Sequence, residues 1–380
     1  MSAALEKAIS GRTEAMLSSI QKLVEINSHT PNKAGGDAVA ALLVAHGVEL
    51  GLTARRIHSS TCADHVVLTT GPATNTGEGA TLLVGHHDTV FPPGTFEGMR
   101  VEGGIARGPG VLDMKGGIVV MLEALRALRE AGILEERAIR VILVGDEEVG
   151  SPEGRNVIQA YGKGAKRALV FEAGRAADKI ITRRKGTGSA KVVARGKAAH
   201  AANNHKDGVN AIWALSRFID RAQALTDYAR GITVNVGLVS GGEAKNTVPD
   251  HAECQIDFRF EKIADAEETF SRLRAACDDL GVPGAALEIT GGPQRLPLER
   301  TPDNVALFEA YAVHARAVGL GSEEAGLIAG GSDASSTSAI GIPSIDGLGP
   351  RGSGFHTKDE LIEIASLEPK ALALARLLAE

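Results

Sequence analysis

The chain has 380 residues, 43% apolar and 23% charged, with a formal net charge of −6. That is globular composition, long enough for a large core and for two domains. Its mild acidity excludes a broad attraction to nucleic acid or anionic membranes, and no apolar stretch approaches the ~20 residues that cross a bilayer.

The N-terminal MSAALEKAISGRTEAML mixes charges among apolar residues, which predicts an amphipathic helix and not a signal peptide. From about residue 80 to 172, continuous apolar runs alternate with helical spacing. Thr81–Val84 leads into Gly85-His86-His87-Asp88, Ile139–Val144 into Gly145-Asp146-Glu147-Glu148, and Ala168–Phe171 into Glu172. Unbroken runs of this kind suit strands covered on both faces by helices. Between them, Met114–Ala131 has the spacing of a helix, with Gly132 as its C-cap.

Residues 186–291 read differently. Strands are expected at Ser189–Ala194, Ile232–Val239, His251–Phe260 and Ala285–Thr290. Helices are expected at Asp207–Ala229, which holds the single Trp, Trp213, and at Ala264–Leu280. In His251–Phe260 the even-numbered residues are apolar, the period of a half-buried strand. The order β-α-β-β-α-β is that of a ferredoxin-like unit. Glycine-bearing joints, Lys185-Gly186 and Gly291-Gly292, bound it. The expected fold is therefore α/β: a helix-covered mixed or parallel sheet formed by residues 1–185 and 292–380, with 186–291 inserted.

Five potential metal ligands follow one another as His86, Asp113, Glu148, Glu172 and His356. Three of them fall just beyond an apolar run, where open α/β sheets gather their ligands. A carboxylate-rich set with two imidazoles matches a site for two divalent ions, not a structural zinc knot. Each element has a bland alternative when taken alone. His86-x-Asp88 reads as a surface turn, Asp113 as a helix N-cap, Glu147-Glu148 as a solvated pair and His356 as a loop histidine. Jointly they are harder to dismiss. Residues i and i+2 of an extended segment share a face, so Asp88 can hold the second imidazole nitrogen of His86. Two adjacent acids after a buried strand need a counter-charge, which a metal supplies.

Competing chemistries lack their motifs. Gly330-Gly331-Ser332-Asp333-Ala334 approaches a nucleophile elbow but ends in Ala. Gly108-Pro109-Gly110 lacks the third glycine of a dinucleotide fingerprint, and no P-loop GK[ST] is present. The three cysteines, Cys62, Cys254 and Cys277, share no metal spacing and read as thiols in a reducing cytoplasm, not as disulfide partners.

GHHDTVFP, ARGPGVLDMKGG, GDEEVGS, LVFEAG and FHTKDE resemble the successive metal-site segments of the M20 metallopeptidases. The resemblance covers nearly the whole chain, including GKAAHAANNHKDGVNA, and among the branches it is greatest to the glutamate carboxypeptidases. It implies that His86 and Glu172 hold one zinc, that Glu148 and His356 hold the other, and that Asp113 bridges both. Cobalt or manganese would suit the same ligands. Asp88 takes the place of the acid behind His86, and Glu147 that of the general base. His200 matches a residue that reaches the partner subunit's active site, while Asn246 and Arg259 match positions that bind a substrate carboxylate or the reacting carbonyl. The inserted domain would carry the interface of a homodimer. The implied reaction is hydrolysis of the amide bond of a C-terminal amino acid, glutamate favoured, on a small peptide or N-acyl amino acid. An N-acyl-amino-acid deacylase and a catalytically inert amide-binding relative are the alternatives. FPPGTFEG after Asp88 and GPRGSGF before His356 depart from the pattern, and with them the substrate stays open.

Overall fold

A computed structural model of the chain describes residues 2–73 and 78–380. It divides into two compact units, one formed by Met1–Arg183, Arg300–Ile328 and Ser332–Glu380, the other by Arg184–Glu299 and Ala329–Gly331.

The first unit is built on a mixed six-stranded sheet. Its strands lie in the order Thr53–Ile57, His65–Thr69, Ile139–Val144, Thr81–His86, Arg167–Val170 and Ser344–Ile345. The last four run parallel to one another, and His65–Thr69 is antiparallel to both of its neighbours. Every residue of Thr81–His86 and of Ile139–Val144 is buried, which is why these strands are apolar throughout and do not alternate. Helices Gly116–Glu130, Pro302–Ala317 and Leu367–Ala379 contribute to one large apolar core.

The N-terminal segment is two helices, not one. Ser2–Ile9 and Thr13–Val24 are separated at Gly11, whose φ of 75° no helix interior accepts; Met1 lies outside the described residues. The helix expected from Met114 starts two residues later, at Gly116, because Asp113 and Met114 have non-helical dihedrals. Asp113 is therefore not a helix N-cap.

In the second unit four antiparallel strands lie in the order Thr233–Gly241, His251–Phe260, Gly186–Arg195 and Ala286–Arg295. With helices Ala211–Gln223 and Ile263–Ala275 the chain order is β-α-β-β-α-β, apart from a two-residue ribbon formed by Ala199–His200 and Thr247–Val248. The even-numbered residues of His251–Phe260 are all buried. The helix around Trp213 is shorter than its apolar pattern, since Asn210 caps it by accepting a bond from Trp213 N and it ends before Ala224. Gly291 and Gly292 are not a joint. They lie inside the last strand, where a Cβ on Gly291 would stand 2.3 Å from Ser189 O. Close backbone approach, not hinging, is what glycine serves here.

Candidate active site

Three of the candidate ligands of the first unit stand at or just beyond the end of a strand. His86 is the last residue of its strand, Glu148 lies in a short turn after Ile139–Val144, and Glu172 follows Arg167–Val170. Asp113 stands in the irregular turn before Gly116–Glu130. That helix packs so closely that a Cβ on Gly117 would meet Phe171 O at 2.2 Å. His356 occupies a loop with a left-handed φ of 61°, a region few non-glycine residues adopt.

The structure brings these five residues together. His86 Nε2 lies 3.1 Å from Asp113 Oδ1 and 3.8 Å from Glu172 Oε1. His356 Nε2 lies 3.2 Å from Asp113 Oδ2 and 3.1 Å from Glu148 Oε2. Asp113 thus turns one oxygen to each histidine. One carboxylate oxygen each of Glu147 and Glu172 and a ring nitrogen of His86 also fall within 4.8 Å of one another.

Asp88 organises the cluster from behind. The Nδ1 of His86 is 3.1 Å from Asp88 O and 3.3 Å from its Oδ1. That nitrogen carries the proton in the neutral ring and leaves the Nε2 lone pair facing the acids. Asp88 Oδ1 accepts the N–H of Glu147, and its Oδ2 accepts the N–H of Glu148 and the hydroxyl of Thr30. His87 points the other way, with Nε2 3.1 Å from Asp64 O. Two further buried groups escaped the sequence reading. Glu360 accepts three backbone N–H groups around Asp113, and Lys115 donates to Ile26 O. Glu360 stands within FHTKDE, but nothing local distinguishes a buried acid from the solvated Asp359 beside it.

Without a metal ion the acids and imidazoles must neutralise one another. Burial pushes Glu148 up to about 7, against the opposing pull of His356 and His86. Burial likewise lifts Glu172 to about 7, and the charge of Asp113 adds to it. For Asp113, bonds to His356 and His86 overcome burial and hold the carboxyl well below its usual range. Hydrogen bonds to Asp113 and Glu148 raise His356 to about 10. Burial opposes the charged form of His86, but Glu172, Asp113 and Asp88 prevail and raise it well above the ordinary imidazole value. Glu172 Oε1 is buried with no hydrogen-bond partner. Two imidazoles, several converging carboxylates and an orphaned carboxylate oxygen fit divalent cations.

In the second unit His200 lies in the small ribbon and Asn246 just precedes the ribbon's other strand, with Ala201 N donating to Asn246 O. Both side chains are exposed. The Nδ1 of His200 accepts from Ala202 N and Asn203 N, so Nε2 carries the proton and is a donor. Arg259 stands apart from that ribbon. Its fork is engaged by Asp257 through Nε–Oδ1 and Nη2–Oδ2 contacts of 2.8 Å each.

A cluster of acids and imidazoles gathered at the strand ends of a mixed α/β sheet is the arrangement of a metallohydrolase. Residues 82–380 match the family described as peptidase family M20/M25/M40, and the chain belongs to that family. It is 30% identical to carboxypeptidase G2 of Pseudomonas sp. (strain RS-16) over 382 residues, covering 98% of this chain and 91% of that relative. It is 32% identical to the acetylornithine deacetylase of Myxococcus xanthus over 197 residues, 48% of this chain and 50% of the other. Among solved structures the aminopeptidase PepT of Bacillus cereus ATCC 10987 superposes with a TM-score of 0.80 at 22% identity, over 97% of this chain and 98% of that one. That last likeness is one of fold. Among the described residues no helix is long and apolar enough to cross a membrane.

Proposed function

We propose that the protein is a two-metal hydrolase that cleaves the amide bond of a C-terminal amino acid, with glutamate the favoured residue. The observation that carries it is Asp113, one oxygen toward His86 and the other toward His356. On this reading His86 and Glu172 hold one ion, Glu148 and His356 the other, and Asp113 serves both; zinc is the ion favoured. Divalent ions in such a site supply Lewis acidity that makes water a nucleophile near neutral pH. Glu147 is the general base. Asp88 accepts the backbone N–H of both Glu147 and Glu148, and so sets one acid beside the ligands and the other among them. Glu147 takes the proton of the attacking water and returns it to the leaving nitrogen.

Within the second unit, three side chains have the chemistry of substrate contacts. His200, with its Nε2–H free to donate, and Asn246 suit an oxyanion. Arg259 suits a substrate carboxylate, for which it would exchange the carboxylate of Asp257. This unit also suits a homodimer. Its edge strand Thr233–Gly241 exposes Leu238 and Val239 at 62% and 65%, and Trp213 and Ile212 are exposed on helix Ala211–Gln223. An apolar edge strand left bare invites pairing with a second copy.

The preference for glutamate rests on likeness to carboxypeptidase G2 and on the Arg259 fork. The rival reading, an N-acyl-amino-acid deacylase, uses the same machinery. The deciding experiment is a hydrolysis screen of the zinc-loaded protein on N-acyl amino acids and on dipeptides ending in Glu, Asp, Arg, Lys or apolar residues, each with and without chelator. Chelator-sensitive release of C-terminal Glu supports the carboxypeptidase; preference for acetylated or succinylated basic amino acids supports the deacylase. No turnover with metal bound would overturn both.

A further inference from the structure

The three backbone N–H groups at Gly110, Leu112 and Asp113 converge on a single carboxylate. Gly110 N donates to Glu360 Oε2 at 2.9 Å, while Leu112 N and Asp113 N donate to Oε1 at 2.8 and 2.9 Å. Glu360 is 0% exposed. It follows His356 by four positions, and its own backbone closes the loop at both ends, with Glu360 N bonded to Thr357 O and Gly108 N to Glu360 O. One side chain therefore ties the turn that carries Asp113 to the loop that carries His356.

We propose that Glu360 is a positioning residue for the metal centre, setting the separation of Asp113 and His356 before any ion arrives. This rests on the two-metal reading above. The physical case has three parts. A buried carboxylate offers only acceptors, so it can serve N–H groups at both oxygens at once. A buried acid is costly to keep unless it is satisfied, and here its oxygens accept three backbone N–H groups that an apolar side chain would leave without a partner. The two segments it joins have no regular structure of their own. Asp113 and Met114 are non-helical, and His356 has a left-handed φ of 61°. Such conformations persist only when the surroundings determine them.

Glu360→Gln is the discriminating variant. With its oxygen toward Leu112 and Asp113, its amide must face Gly110 N–H, donor against donor; reversing the amide strands the other two. Zinc affinity measured by competition with a chromophoric chelator should fall ~10–100-fold for at least one ion, the usual cost of removing a group that orients a ligand. The visible spectrum of the cobalt-loaded protein should shift, with the circular dichroism of the metal-free form unchanged. Unchanged zinc affinity and cobalt spectrum in a folded variant would overturn the proposal. A readout that needs no variant is amide exchange in the metal-free wild type. Slow exchange at Gly110, Leu112 and Asp113 is expected, and rapid exchange at all three overturns the anchor even if the variant does not fold. A wild type that binds no zinc or cobalt instead overturns the two-metal reading, and the role of Glu360 with it.

Discussion

His356 and Asp113 meet with 3.2 Å between Nε2 and Oδ2, although they lie in loops far apart in the chain. The other oxygen of the same aspartate is 3.1 Å from His86. A carboxylate shared between two imidazoles is an arrangement that protons can hold together only in part, and divalent ions more fully.

Loading the centre should release protons. In the metal-free protein His356 sits at about 10, well above its ordinary 6.5, and Glu148 and Glu172 sit at about 7 against 4.5. Metals require these groups deprotonated. Zinc binding at neutral pH should therefore show a heat that depends on the ionisation enthalpy of the buffer, and affinity should rise with pH. The sign for stability is the reverse. The folded metal-free protein holds protons that the unfolded chain has lost, first from the acids above about 4.5 and then from the histidine above about 6.5. Its stability from these groups is fully present at low pH and is lost as pH rises through about 7 and about 10. Denaturant melts of the metal-free form at several pH values test this.

Glu147→Gln should keep the metal content and the fold while lowering kcat by ~10²–10⁴, the usual scale for losing a general acid–base. Full turnover with metal bound would assign the base elsewhere.

His356→Ala should reduce bound zinc from about two ions per chain to about one, since the ligands beside His86 are untouched. Elemental analysis after dialysis measures this directly. An unchanged stoichiometry would remove His356 from the ligand set.

Arg259→Ala should raise KM steeply for substrates with a free carboxylate and hardly change it for neutral esters. Equal effects on both would point to the Asp257 pair as a purely structural contact.

Leu238→Lys on the exposed edge of the second unit should convert a dimer to a monomer in light scattering, leaving the thermal melt of the unit nearly intact. A wild type that is already monomeric would remove the interface.

Asp178→Asn tests a buried charge cluster outside the candidate ligand set. Asp178 and Lys370 are both buried, 3.4 Å apart, and Arg351 completes the group. Asn suits the left-handed φ of 52° at this position, so the change removes charge without new backbone strain. Leaving Lys370 without its carboxylate should cost about 3–5 kcal/mol by denaturant titration.

Residue type and order alone were enough for the candidate ligands, for the β-α-β-β-α-β succession and for the alternating strand His251–Phe260. These follow from local period and from acids placed just after buried runs, and both are written in short stretches of chain. Element ends were less legible, as Gly11, Gly116 and the glycines of Ala286–Arg295 show, because a glycine serves a break, a close approach or a turn with the same letter. Only the tertiary structure decided that Asp113 lies between two histidines, that Asp88 holds the Glu147-Glu148 turn, and that Glu360 is buried beneath Asp113. All three depend on bonds between distant segments, and no short window of sequence carries that information.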